Sequence, residues 1–504
     1  MSKQNKKFIE QIKKAGKKTS REGYFSKEQI ENLFKNNPDV HLQTFAFENN
    51  LVTFVTCEGM VDIKMINNVI YERFVRFFDK YKEQTLSEED ITTSLYVPDL
   101  QRIKKKEMII SDVFLGKLLV LFHNEQLLFS IDIADRPQRQ PEETSTEISI
   151  KGPRDDFIED IDTNIALIRK RLRTNSLAIN RYEVGERTQT QVALLYIDDI
   201  INMNIIKNID RRLKQVNIDG IYSGTQLKEI LSERALNFFP VYHYTGRPDF
   251  AVQSLLTGRF LLLVDGVQYV VIAPVNLAYI LKSAEDSESV YLFNSFERLI
   301  RLFGLMVSIF LPGLWVALIS FHQNQVPIAF LGTIIESRQG VPLPASLEAI
   351  LMVLLFEFFR EAGLRLPVAI GSTLSVVGGL IIGDAAIRAG LASPIMIVVM
   401  ATSSVATYTL VSMSLHGVVS ILRLFVIIVS SFFGLFGFFV SIFLIVLYIA
   451  NVETYGVAYL SIPEGIRIKE VLKTIFRLPE SKYEKRPSFL RTKDDTIKPP
   501  NDER

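Results

Sequence analysis

From about residue 300 to residue 450 the chain carries long apolar runs separated by short polar stretches, and this segment constrains the fold most. Its first run, RLFGLMVSIFLPGLWVALISFH at residues 301–322, supplies the about 20 apolar residues that a membrane-spanning helix needs. Arg298 and Arg301 lie at its front edge, and such a basic flank predicts a cytoplasmic entrance. We therefore expect an α-helical polytopic membrane domain over residues 298–460.

The later apolar runs differ in length, which bears on how many of them cross the membrane. Residues 367–386 and 394–415 are long enough to span. Residues 347–359 are shorter and charged, which favours a re-entrant or interfacial helix. The run at residues 421–450 is long for one upright helix, so it is either one tilted span or two short halves that meet at residues 434–437.

The two ends of the chain are expected on the cytoplasmic side. The start MSKQNKKFIEQIKKAGKKTS is basic and has no apolar stretch, so it does not predict a signal peptide. The tail at residues 461–504 is also basic. Two cytoplasmic ends require an even number of crossings, and we expect about four spans, with the short helix counted separately.

The residues before the membrane domain have the mixed, charged composition of a soluble protein. Nearly 300 such residues normally form two domains, and strands alternate with helices along them. We expect an α/β cytoplasmic region made of two small α/β subdomains. Its parts are a basic polar N-terminal segment at residues 1–40, the first subdomain at 41–135, a proline-rich and charged linker at 136–151, and the second subdomain at 152–297.

Turn residues and alternating apolar residues predict three β-hairpins in this region. The first has its turn at residues 48–50 and the second at residues 123–126. Asp265 and Gly266 predict a two-residue type I′ turn in the third, because that turn needs positive φ at both central residues. Asp155 and Asp156 precede a predicted helix, and carboxylates there are expected to favour the positive end of its dipole.

Sequence motifs of common enzyme and cofactor sites are absent. The chain has no phosphate-binding loop, dinucleotide fingerprint, nucleophile elbow or zinc-protease motif. The single cysteine, Cys57, excludes an intramolecular disulfide and is expected to be a buried residue of a strand. A net charge of +1 without a basic stripe argues against nucleic acid. We expect a protein that is not an enzyme and has no catalytic residue, no cofactor and no metal site.

Ionisable residues in and near the apolar runs are the candidate functional residues, because charges at bilayer depth are costly and tend to face a partner or a water path. Glu357, Glu361 and Arg360 share one helix face and can pair. The alternative is a neutralised cytoplasmic loop that only obeys topology. Glu348, Arg388 and Arg423 belong to the same class. Those we select for membrane coupling or an ion path are Glu357, Arg360, Glu361, Arg365 and Asp384.

Small residues four apart predict close helix packing. Gly378, Gly379 and Gly383 are spaced so that two helix backbones can approach each other in lipid. The alternative is that glycine is simply common in membrane helices. The pattern does not say whether the partner helix belongs to the same chain.

Five blocks of sequence resemble the A-type subunit of GerA-family spore germinant receptors. The resemblance extends from about residue 40 to residue 480, with the blocks in the family's order. The blocks are GPRDDFIEDIDTNIALIRKRL at 152–172, LLTGRFLLLVDGVQYVVIAP at 255–274, LPASLEAILMVLLFEFFREAGLRLP at 343–367, VGGLIIGDAAIRAGLASP at 377–394 and ETYGVAYLSIP at 453–463.

The resemblance implies a multi-pass protein of the spore inner membrane, with both termini on the spore core side. Its partners would be a B-type permease-like membrane subunit, a C-type lipoprotein, membrane lipid and further copies of the chain. The implied function is to transduce nutrient sensing into ion release and germination, with an oligomer forming the ion-conducting element.

Three positions depart from the family pattern and suggest a divergent paralogue. They are Gly246 within TGRPD, Ser287 after Glu285 and Asp286, and Asp384, where the family tends to have glutamine. The nutrient therefore does not carry over. An accessory germination protein of the SpoVA-associated F type remains an alternative, as does a solute or ion transporter that acts alone.

Overall fold

The computed structural model describes residues 23–47, 50–81, 86–97, 99–135, 151–232, 237–365, 383–460, 476, 477, 479, 482 and 484–497. The chain divides into two compact units. The soluble unit contains residues 1–231, 244–273 and 490–495. The helical unit contains residues 232–243, 274–489 and 496–504.

The first sheet of the soluble unit is antiparallel and has five strands in the order β1-β2-β4-β5-β3. The first two predicted hairpins are confirmed, since β1 pairs with β2 and β4 pairs with β5. The strands are β1 (Val40–Phe47), β2 (Asn50–Cys57), β3 (Gln101–Arg102), β4 (Lys117–Phe122) and β5 (Leu127–Asp132).

Helices cover both faces of this sheet. On one face the aromatic side chains of α2 (Tyr71–Lys80) pack with Phe47, Phe54 and Phe122. The other face carries α1 (Lys27–Leu33) and α4 (Lys106–Phe114), and α3 (Glu88–Ser94) precedes β3. Ser26 and Gln29 form a capping box at the start of α1. The first subdomain therefore begins before residue 41, within the segment predicted to be polar.

The second sheet has five strands in the order β6-β7-β9-β10-β8. Its strand β6 has no counterpart in the sequence-based prediction, whereas β9 and β10 form the third predicted hairpin. The strands are β6 (Leu177–Val184), β7 (Thr190–Ile197), β8 (His243–Thr245), β9 (Phe260–Val264) and β10 (Val270–Ala273). The helices that accompany them are α5 (Ile161–Arg171), α6 (Met203–Gln215), α7 (Gly224–Leu231) and α8 (Pro248–Leu256).

Two local predictions in the second subdomain are wrong. The hairpin of β9 and β10 exists, but its loop has five residues, 265–269, and positive φ occurs within it at Gly266 alone. The helix near Asp155 begins at Ile161, where Asp160 accepts a hydrogen bond from the Thr163 N–H at 2.8 Å. Asp155 instead forms an ion pair with Arg171 in the last turn of α5 at 2.5 Å. Burial opposes ionisation of Asp155, yet the Arg171 hydrogen bond and charge hold its pKa below the ordinary value.

A buried ion pair connects α5 to the first sheet within the soluble unit. Arg169 donates to the two carboxylate oxygens of Asp39 at 2.7 Å and 3.0 Å, and neither side chain is more than 2% exposed. The guanidinium also lies 4.2 Å from the ring centroid of Phe114. Cys57 is fully buried beside Asp39, as expected for a strand residue. Burial and the Asp39 charge raise the pKa of the Cys57 thiol.

In the helical unit, two of the described helices are long and apolar enough to cross a membrane: α9 (Tyr291–Phe321) and α13 (Met413–Ala450). The predicted span at residues 394–415 ends early, since α12 (Pro394–Tyr408) has 15 residues. The predicted short helix is longer, at 21 residues, in α11 (Ala345–Arg365), and α10 (Ile328–Ser337) precedes it. Residues 366–382, the main part of another predicted span, lie outside the described residues, so the span count stays a prediction.

Helix α13 is divided at Gly434. This residue has φ 60° and ψ −140°, a region that is essentially restricted to glycine. A Cβ atom on Gly437 would lie 2.5 Å from the carbonyl oxygen of Val429, eight residues earlier. A continuous helix separates such residues by about 12 Å, so the chain reverses direction here.

The contacts of α13 with α9 show the same reversal. Gly434 lies beside Phe321 at the end of α9, whereas Phe438 lies beside Phe310, with ring centroids 6.2 Å apart. Residues 413–433 form the first arm of this hairpin and residues 435–450 the second. The alternative of two halves meeting at residues 434–437 is confirmed, and that of one tilted span is wrong.

Part of the basic tail packs on the soluble unit. The Lys493 N–H donates to the carbonyl oxygen of Ile200 at 2.8 Å, and its Nζ donates to that of Asp198 at 2.8 Å. Leu490 is buried. Residues 490–495 therefore belong to the folded protein, although the sequence predicted a basic tail up to residue 504.

Candidate coupling site in the helical unit

Glu357 and Arg360 form the centre of a polar group between α11 and the first arm of α13. Their ion pair is 2.6 Å long, and the two side chains are 23% and 25% exposed. Ser420 on the first arm donates to Glu357 at 2.5 Å and accepts from Arg360 at 3.0 Å. Arg360 also reaches the carbonyl oxygen of His416 at 3.4 Å. The pairing that helical spacing predicts is present, and it extends to a second helix.

The other charges selected from the sequence form exposed pairs. Glu361 binds Arg365 at 2.7 Å, with 57% and 80% of the side chains exposed. Asp384 binds Arg388 at 2.8 Å, with 55% and 79% exposed. The structure thus separates the five selected residues into a half-buried pair that contacts another helix and three residues on the surface of this chain.

Of the three glycines predicted to pack closely against another helix, the structure describes one. Gly378 and Gly379 lie outside the described residues. Gly383 is described, and a Cβ atom added there would meet no atom within 4 Å. The close packing predicted for this segment stays a prediction.

Arg423, which the sequence placed among the costly charges but which we did not select, is buried in the centre of the bundle, 2% exposed. Its Nε donates to the carbonyl oxygen of Ser308 on α9 at 3.0 Å, and Nη2 donates to Thr407 on α12 at 2.8 Å. Ser403 on α12 donates to the same Ser308 oxygen at 2.9 Å. These bonds join three helices, and an arginine in the middle of an apolar run was the signal that could have found them.

Glu348 is a second buried charge that was not selected. Its side chain is fully buried, and Oε1 accepts from both the N–H and the hydroxyl of Ser393 at 2.6 Å. Ser393 is the N-cap of α12, so the carboxylate lies at the positive end of that helix. Arg338 lies 3.7 Å from Oε2. These contacts explain Glu348 as a residue that fixes the start of α12.

Asp286 holds the beginning of α9. Its carboxylate accepts from Arg298 at 3.1 Å and from Arg301 at 2.8 Å, and it is nearly buried. Its backbone carbonyl accepts from Asn294 at 2.5 Å and from Arg477 of the tail. The two arginines that predicted a basic flank are therefore paired, and residues from 274 onward belong to the helical unit although the sequence placed them in the second subdomain.

In the soluble unit, the sequence block that begins at Gly152 meets the TGRPD segment at Arg247. This buried side chain binds Asp249 through two bonds of 3.1 Å and 2.7 Å. Its guanidinium occupies the space that a Cβ atom on Gly152 would need. The block at residues 152–172 and the TGRPD segment therefore share one packing contact.

The described residues contain no group of three or more His, Cys, Asp or Glu side chains placed to hold a metal ion. What the helical unit offers instead is a set of charges and hydroxyls that hydrogen-bond between helices. Such groups can be rearranged when helices move, which suits a coupling site.

Comparison with known proteins gives a match over nearly the whole chain. The model of a family described as Bacillus/Clostridium GerA spore germination protein matches residues 28–489. Spore germination protein XA of Bacillus anthracis is 43% identical over 447 residues, which cover 88% of this chain and 90% of that protein.

More distant relatives cover similar lengths. Spore germination protein GerLA of Bacillus cereus is 34% identical over 391 residues, 78% of this chain and 80% of that protein. Spore germination protein KA of Bacillus subtilis (strain 168) is 31% identical over 449 residues, 88% and 82%. The solved N-terminal domain of the A subunit of the Bacillus megaterium spore germinant receptor GerK3 is 24% identical; it covers 51% of this chain and 96% of that one, with a TM-score of 0.39.

Proposed function

Because the chain belongs to the Bacillus/Clostridium GerA spore germination protein family, we propose that it is the A-type membrane subunit of a nutrient germinant receptor. Its role is non-enzymatic: it converts nutrient sensing into ion release and spore germination. It acts in the spore inner membrane with a B-type permease-like subunit and a C-type lipoprotein, and copies of the chain form the ion-conducting element. Both termini lie on the core side.

The observation that carries this proposal is the polar group of Glu357, Arg360 and Ser420. A charge within an apolar bundle costs free energy unless it is paired and hydrogen-bonded. Glu357 and Arg360 are paired with each other, and both form hydrogen bonds with Ser420 on a neighbouring helix. Any displacement of α11 along the first arm must break those bonds. The group can therefore hold two helices in one arrangement until a partner subunit moves them.

The test is Glu357→Gln, which keeps the size of the side chain and an acceptor for Ser420 but removes the charge that binds Arg360. We expect the protein to accumulate in the spore membrane and nutrient-triggered germination to slow by about tenfold, the effect of a 1.4 kcal/mol change in the coupling equilibrium. The measurement is loss of optical density after nutrient addition, with immunoblots for accumulation.

The matched control is Glu336→Gln on α10, the same replacement at an exposed carboxylate of the same unit. It should leave both germination and accumulation unchanged. Wild-type germination of the Glu357 variant at normal protein level would remove the Glu357 group from the mechanism.

A further inference from the structure

A proline in the middle of α9 creates a chemical problem at membrane depth. Pro312 lies near the centre of the predicted span at residues 301–322 and inside the helix. Proline has no N–H, so the carbonyl oxygen of Ser308, four residues earlier, loses its helical donor. An unsatisfied backbone carbonyl in hydrocarbon costs several kcal/mol, so another group has to donate to it.

Two side chains from other helices supply the donors. Arg423 Nε on the first arm of α13 lies 3.0 Å from the Ser308 oxygen, and Ser403 Oγ on α12 lies 2.9 Å from it. All three residues are buried. The break in α9 is thus closed by a cation and a hydroxyl rather than by the helix itself, and it stays closed only while these helices remain in place.

The first arm of α13 connects this break to the Glu357 group. Glu357 and Arg360 lie on α11 and bind each other at 2.6 Å. Ser420, which binds both of those residues, lies one helical turn before Arg423 on the same arm. A shift of this arm relative to α11 therefore also moves Arg423 relative to Ser308.

We propose that Pro312 is a hinge in α9 and that Arg423 is the positioning residue that holds it closed. The inference rests on the proposed function, because the Glu357 group is what would move the first arm. Release of Arg423 from the Ser308 carbonyl lets α9 bend at Pro312. The conformational change therefore depends on the missing helical hydrogen bond at Pro312 and not only on the charge of Arg423.

The test combines Arg423→Met with Pro312→Ala, because alanine at 312 restores the backbone N–H that donates to the Ser308 carbonyl. Arg423→Met alone removes one of the two donors to the Ser308 carbonyl and leaves Ser403 as the other. We expect membrane accumulation to fall about tenfold, equivalent to about 1.4 kcal/mol. The double variant should accumulate at the wild-type level but still germinate slowly. Pro312→Ala alone should accumulate normally and also germinate about tenfold more slowly, since α9 can no longer bend there.

Pro394→Ala is the matched control, because Pro394 is in the first turn of α12, where a missing N–H frees no carbonyl within the helix. It should change neither accumulation nor germination. Failure of Pro312→Ala to restore accumulation of the Arg423 variant would show that Arg423 does not serve the Ser308 carbonyl. Wild-type germination of Pro312→Ala would show that the proline is not a hinge.

These outcomes are separable from those of the Glu357 test. Slow germination of Pro312→Ala together with normal germination of Glu357→Gln would retain the hinge and reject the Glu357 group as its driver. Normal germination of Pro312→Ala with slow germination of Glu357→Gln would reject the hinge and leave the proposed function standing.

Discussion

The buried charge of Arg169 is neutralised by one carboxylate, that of Asp39. A guanidinium with no exposed surface is tolerable because Asp39 binds it through two oxygens and two backbone carbonyls each accept a further N–H group. Replacing such a pair with apolar residues of similar volume can be neutral, but removing one partner leaves an unpaired buried charge. The pair is therefore a point at which a single substitution has a large effect.

We predict that Asp39→Ala destabilises the soluble unit by about 3–5 kcal/mol, the usual effect of breaking a buried ion pair. Urea unfolding of the detergent-solubilised full chain, followed by circular dichroism, measures this. Asp219→Ala is the control, because its ion pair with Arg187 is 3.8 Å long and mostly exposed. A loss for Asp39→Ala no larger than that of the control would contradict the prediction.

Residues of the candidate site could be predicted from the sequence only in part. The spacing of Glu357 and Arg360 predicts their ion pair because both lie on one helix. Ser420 is 63 residues from Glu357 in the chain, and no periodicity brings it there. The same is true of Ser308 and Arg423, which are 115 residues apart. Their contact depends on helix packing, which apolar composition alone does not specify.

Among the elements, the hairpin of α13 depends most on one residue. Gly434 combines a backbone conformation that disfavours side chains with close contacts to the end of α9: a Cβ atom there would lie 2.9 Å from His322 and 3.0 Å from Phe321. Neither the backbone nor the packing leaves room for alanine. The two arms can reverse direction at this position because it is glycine.

We predict that Gly434→Ala lowers accumulation of the full chain by about tenfold or more, since the backbone strain alone costs about 1–3 kcal/mol. The matched control is Gly417→Ala on the first arm, where a Cβ atom meets nothing within 4 Å and alanine is the better helix former. Immunoblots of spore membranes give the comparison. Equal accumulation of the two variants would mean that the hairpin tolerates a side chain.

The elements of the soluble unit were predicted better than those of the helical unit. Alternating apolar residues and polar turns identify β1, β2, β4 and β5 because those signals are local. The end of α12 at Tyr408 has no proline or glycine to mark it. There the Thr409 hydroxyl donates to the carbonyl of Ala406 at 2.8 Å, which competes with helical bonding within an apolar run. Hydropathy does not detect such an end.

In the whole molecule, the exposed pair of Asp384 and Arg388 is relevant to assembly. Exposed ion pairs contribute about 0–1 kcal/mol to the stability of a single chain. This pair therefore contributes little to the free energy of unfolding of the chain. We predict that Asp384→Asn leaves the thermal unfolding of the detergent-solubilised chain unchanged. We also predict that it slows nutrient-triggered germination, as expected if the exposed surface around Asp384 contacts another subunit of the proposed receptor. Normal germination of this variant would exclude Asp384 from the receptor's function.

Cys57 is the one native cysteine, and its burial allows the helices to be studied by labelling introduced cysteines. It is the single cysteine of the chain, it is fully buried, and burial suppresses its thiolate form. Thiol reagents react with the thiolate, so the native protein offers them almost no target. Cysteines introduced at the tip of the α13 hairpin or in the loop after α9 can therefore be tagged with thiol reagents without first replacing a native residue.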